Sequence, residues 1–82
     1  MERAQAIVEE VMRAAMEAGR RAAAQAASGD LHAAGQLFAY HDVLDVLKEQ
    51  ADLLGVVFAE SELRNFDPDE LLSLSVPACK AA

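Results

Sequence analysis

The sequence is poor in cysteine, proline, aromatic residues and positive charge. Cys79 is the single cysteine in 82 residues, so no disulfide framework can form within one chain. That usage favours a reducing, cytoplasmic setting over secretion. Tryptophan is absent, and the aromatic residues are Phe38, Tyr40, Phe58 and Phe66. The four glycines, Gly19, Gly29, Gly35 and Gly55, are isolated, which excludes a glycine-rich phosphate loop. The longest uncharged stretch, near residues 22–29, is mostly alanine and too short to span a bilayer. Met1 leads into mixed charge instead of a long apolar core, so no signal peptide is expected. Cys79-Lys80-Ala81-Ala82 has the outline of a prenylation box, but no basic cluster precedes it, and lipidation is not expected. Seven Lys and Arg face fourteen Asp and Glu, for a net charge of −7. Nucleic-acid affinity rests on cations displacing counterions from phosphate, so a nucleic-acid partner is not expected.

What is abundant is alanine. Eighteen residues are alanine, and 54% of the chain is apolar. A chain of this length buries only about 60% of its unfolded surface, and alanine adds little to that burial. The reading is a single small domain, residues 1–82, with no room for a large enclosed active site. The acid is uneven: residues 42–82 carry nine acids and three bases, against five and four in residues 1–41. An acidic half favours a basic protein partner through steering, and equally keeps a small alanine-rich bundle in solution.

The periodicity predicts an all-α fold. Residues 2–27 are rich in Ala, Glu, Arg, Met and Gln, all good helix formers. A stripe of Ala4, Val8, Val11, Ala15, Ala18 and Ala22 is expected to face the core, with Met12 and Met16 at its edge. Glu9–Arg13 and Glu17–Arg21 are expected as i,i+4 ion pairs. Gly19 lies in a stretch of small residues that allows close approach of another helix. Ser28-Gly29-Asp30 ends this helix and caps the next, and so short a connection predicts an antiparallel return.

Residues 31–54 form the second predicted helix. Its main seam, Ala33, Leu37, Tyr40, Leu44, Leu47, Ala51, Leu54 and Phe58, alternates steps of four and three. A second seam runs beside it: Ala39, Val43, Val46, Gln50, Leu53 and Val57. The combined apolar arc is about 200°, wider than one neighbouring helix covers. Either the C-terminal segment folds back over the second seam or a second subunit does. Gly55 ends or kinks the helix, and 56–60 reads either as more helix or as an extended link. Asp67-Pro68-Asp69-Glu70 starts a short helix over 68–74 that Pro77 limits. Leu63, Phe66, Leu71, Leu72 and Leu74 are candidates to cover part of the second seam. A tail follows over 75–82, and its last residues, 78–82, are expected to fray.

Little here carries chemistry. His32 and His41 are nine positions apart, on opposite sides of one helix, and cannot share a metal within a chain. His41 is expected on a polar face with Asp45, Lys48 and Asp52. Cys79 has no histidine near it in sequence, and no serine sits in a recognisable nucleophile turn. No catalytic residue, metal site or cofactor is assigned. Leu31, Ala34 and Phe38 form a stripe on the acidic side of the second helix. It is either a partner anchor or is covered by the first helix or a second subunit.

Three functions remain. The first is a small non-enzymatic regulator or inhibitor that binds another protein, through Phe38, Asp42, Asp45, Glu49 and Asp52. The second is a homodimer, two hairpins forming a four-helix-bundle-like assembly through Ala39, Val43, Val46, Gln50 and Leu53. Its layout resembles the plasmid copy-number regulators that bind paired RNA loops. Their basic and aromatic RNA-facing surface has no counterpart here, since residues 2–27 offer only Arg3, Arg13, Arg20 and Arg21. The third, ranked lower, is an acidic mimic of nucleic acid.

The block from Gly35-Gln36-Leu37-Phe38-Ala39-Tyr40-His41-Asp42-Val43-Leu44 through Lys48-Glu49-Gln50-Ala51-Asp52-Leu53-Leu54-Gly55 resembles segments of small phage and prophage proteins. It covers about a quarter of the chain. Many proteins of that class are acidic helical hairpins that bind and inhibit host proteins, such as regulators or motor ATPases. The resemblance implies a host-protein partner and assigns no site residue.

Overall fold

A computed structural model describes residues 3–75. The Cys79 thiol, the stop at Pro77 and the fraying expected over 78–82 lie outside the described residues, as does the helix start at Glu2. Among the described residues four helices follow in order: α1 (Arg3–Ala27), α2 (Leu31–Leu53), α3 (Ser61–Asn65) and α4 (Asp69–Leu74). The fold is all-α, and α1 and α2 pack together as the two long arms.

The arms end as their sequences dictate. Gly29 (φ 103°) and Gly55 (φ 72°) take left-handed positions that only glycine holds without strain. Behind them the Asp30 and Val56 amides reach back to the Gln25 and Ala51 carbonyls, closing each helix in a six-to-one bond. The Asp30 carboxylate accepts the His32 and Ala33 amides at 3.0 and 3.2 Å and starts α2. Asp67 does the same for α4, accepting the Asp69 amide at 3.0 Å, while Pro68 already holds helical angles.

The core differs from the sequence expectation in which face of α1 it uses. α1 buries Glu9, Met12, Met16, Gly19, Ala22 and Ala23. Of the expected stripe only Ala22 is buried; Ala15 and Ala18 are half-buried, and Ala4, Val8 and Val11 are exposed. The helix is turned by about 100° from the predicted orientation. The reason is bulk: Met12 and Met16 are flexible enough to fill the irregular space between Leu37 and Leu44 of α2 and Leu63, Phe66 and Leu71 of the C-terminal segment. Expected at the edge, the two methionines stand at the centre.

α2 presents its main seam as expected, burying Ala33, Leu37 and Leu44, with Tyr40, Leu47 and Ala51 half-buried and Phe58 closing the end. Leu54 is the exception and is exposed. The C-terminal segment does fold back, but over the opposite side of the hairpin from the second seam. Leu63, Phe66 and Leu71 are buried, Leu72 is half-buried and Leu74 is exposed. Leu71 lies against Gly19, where a Cβ would come within 2.9 Å of its Cδ1 and 3.3 Å of the Tyr40 Cβ. That close approach is what Gly19 permits.

Residues 56–60 do not continue the helix; they form an irregular link, and the short helix α3 follows at Ser61–Asn65. Five residues do not hold a helix alone. The Lys48 ammonium donates to the carbonyls of Arg64 and Phe66, and the Arg64 guanidinium donates to those of Phe58 (2.7 Å) and Ala59 (2.8 Å). Arg20 of α1 stacks 5.5 Å from the centre of the Phe66 ring and reaches Glu62 of α3 and Glu70 of α4.

Candidate functional site

With α3 and α4 laid over one side of the hairpin, three polar or exposed regions remain to be placed. The first is a latch at the open end. Glu9 is buried at 3% exposure. Its carboxylate accepts the Ala59 backbone amide at 3.0 Å and the Gln5 side-chain amide at 2.9 Å, and Gln5 donates in turn to the Val57 carbonyl. The Ala59 amide, joined by Gln5, holds the Glu9 carboxyl below the usual carboxylate range. Arg13, expected beside Glu9, pairs instead with Glu10 and with Glu60 of the link. The Glu17–Arg21 pair is not formed among the described residues. The first difference follows from the rotation of α1, which turns Glu9 inward; nothing in the structure explains the second.

The second region is the acidic ridge of α2. Phe38, Asp42, Asp45, Glu49 and Asp52 are all exposed, and Phe38 is 58% exposed. Leu31 beside it is 87% exposed, so no described residue covers Leu31 or Phe38, while Ala34 between them is half-buried. At helical spacing these positions share one side of α2. Asp45, Glu49 and Asp52 border a shallow concavity that continues to Lys48 and Arg64. His41 shares the polar side of α2 with Asp45, Lys48 and Asp52 as expected, but it is half-buried there under α4, with Nε2 at 2.8 Å from the Asp69 carboxylate and Nδ1 at 3.4 Å from Asp42. Asp69, foremost, and Asp42 raise its pKa above the ordinary imidazole value. Among the described residues, no three His, Cys, Asp or Glu side chains gather as a metal would require.

The third region is apolar. Ala39, Val43, Val46, Gln50 and Leu53 are all exposed, with Val46 at 56% and Leu53 at 71%. The displaced stripe of α1 faces the same way. Ala4 and Val8 of α1 and Leu47, Gln50 and Leu54 of α2 line one open groove of about 380 Å³. The two seams that the sequence assigned to different contacts therefore form one continuous face, opposite α3 and α4.

Sequence reasoning missed the Glu9 latch, the His41–Asp69 contact and the Arg20 clamp. Only the clamp had a signal, the acids flanking Phe66 in the sequence. No helix among the described residues is long and apolar enough to cross a membrane. No protein-family model matches the chain, and no curated protein or solved structure proves similar to it.

Proposed function

We propose that this is a small non-enzymatic binding protein, a regulator or inhibitor that works by helix-mediated contact with another protein. The observation that carries the reading is the acidic ridge of α2, with Phe38 exposed at the head of a line of four carboxylates. An exposed aromatic ring within a field of one sign suits a basic partner: the acids steer the encounter and the ring anchors it. The partner-binding residues are Phe38, Asp42, Asp45, Glu49 and Asp52. A cytoplasmic setting rests on the lone cysteine, and a phage-type role against a host protein rests on the block at residues 35–55.

The test is affinity capture from host lysate, read by mass spectrometry, with the chain beside its Phe38→Ala and Asp45→Lys/Glu49→Lys variants. The reading expects a protein held by the first and lost by both variants while helicity is unchanged. Equal capture by all three removes the ridge from the function.

The exposed apolar face favours a second reading, compatible with the first: self-assembly into a four-helix-bundle dimer through Ala39, Val43, Val46, Gln50 and Leu53. Exposed valines and leucines on two adjacent helices are costly to leave in water.

A further inference from the structure

The apolar face shared by α1 and α2 specifies its occupant through its size, its taper and its lack of charge. We propose that a second copy of this chain covers it, with the two hairpins antiparallel, α1 on the partner's α1 and α2 on the partner's α2, about a twofold axis near Val46. This inference rests on the self-assembly reading above and adds the face, the orientation and the register.

The size suffices for a modest interface. The apolar stripes run about 27 Å along α1 (residues 4–22) and about 21 Å along α2 (residues 39–53), each about 10 Å wide, so the pair presents a footprint of about 480 Å². Two such faces bury about 1,000 Å² together, the lower end of what a specific interface needs.

The taper decides the orientation. Toward the open end the face carries Ile7, Val8 and Val11 on α1 and Leu53 on α2, all exposed, with Val43 and Val46 near its middle. Toward the turn it thins to Ala14, Ala15 and Ala18 on α1 and Ala39 on α2. Gly19 beside Tyr40, and Val8 beside Gln50 and Leu54, fix the relative height of the arms and place Val46 level with Arg13. A twofold axis at that level lays Val8 over the partner's Ala18, Val11 over the partner's Ala15 and Leu53 over the partner's Ala39. Large meets small at these three positions, while Val46 meets its own copy, Val43 falls beside the partner's Gln50 and Ala4 lies over the partner's Ala22. With both turns at the same end, bulk would meet bulk at one end and alanine would face alanine at the other.

The absence of charge narrows the occupant further. The stripes contain no ionisable side chain, so a charged surface finds no pairing partner there. The required occupant is uncharged, two helices wide and tapered in the opposite sense. Another copy, turned end for end, has all three properties.

The test uses the full chain with Cys79→Ser, single cysteines introduced on the face and a short bis-maleimide cross-linker. Val46→Cys is expected to link to itself. Leu53→Cys and Ala39→Cys are each expected to stay unlinked alone and to link when mixed. Val46→Glu is expected to weaken self-association by about 100-fold or more, because it buries two unpaired charges, with helicity unchanged. A chain that stays monomeric up to about 100 µM overturns this proposal and the self-assembly reading together, and leaves the face to a different protein. A dimer that survives Val46→Glu, or that links Leu53→Cys to itself, overturns the face and register while self-assembly stands.

Discussion

Glu9 and His41 each hold a segment that local sequence does not. Glu9 fastens the link after α2 to α1, and His41 fastens α4 to α2. Their pKa values move in opposite directions, so they bound a pH window. The lowered Glu9 pKa contributes stability that is full above the unfolded glutamate's value and is lost as pH falls through the folded one. The raised His41 pKa contributes stability that is full below the unfolded histidine's value and is lost as pH rises through the folded one. Thermal melts across pH should show both flanks. Glu9→Gln should flatten the acid flank and His41→Gln the neutral-to-alkaline one. Unchanged slopes in these variants would mean that neither contact persists in solution. Neither contact was legible beforehand. The partner of Glu9 is a backbone amide fifty positions away, and every residue type has one. Arg13, four positions on, offered a local pairing that satisfied the helix rules, but it turns to Glu10 and Glu60 instead.

At the scale of the helices, the caps and the bulky seam were legible because their chemistry is local. Asp30, Gly29, Gly55 and Asp67 each act on amides or dihedrals a few residues away. The main seam of α2 contrasts Leu and Tyr with Asp and Glu. The face of α1 was not legible, since alanine lies on nearly all sides and gives weak contrast. Two valines pulled the expected face one way, whereas two methionines and Gly19 set it the other. The short α3 exists through Lys48, Arg64 and Arg20, which reach it from elsewhere or from its own end. The packing at Gly19 gives the test at this scale. Gly19→Val should force Leu71 and Tyr40 apart and cost about 1–3 kcal/mol in urea unfolding. The same change at Gly35, where no atom lies within 4 Å of an added Cβ, should not incur that overpacking cost. Equal losses at the two positions would remove the α1–α4 contact from the account.

For the whole molecule, the alanine-rich composition takes on a specific meaning. α3 and α4 cover one side of the hairpin with the larger side chains, and the other side keeps a tapered apolar face flanked by acid. The ridge residues Phe38, Asp42, Asp45, Glu49 and Asp52 were legible as an exposed set because charge and aromatic contrast mark them directly. That the α1 stripe joins the second seam of α2 was not, because it depends on how far α1 is rotated. The proposed antiparallel pairing has an electrostatic consequence: it would bring Asp42 near the partner's Glu49 on the flank of the interface, between chains that each carry −7. Salt screens that repulsion without weakening the apolar contact. The most direct measurement is sedimentation equilibrium of the full chain over a range of concentration and salt. The account predicts a species of twice 8.8 kDa whose association tightens as salt rises. A mass of 8.8 kDa throughout, or a dimer that salt dissociates, would contradict it.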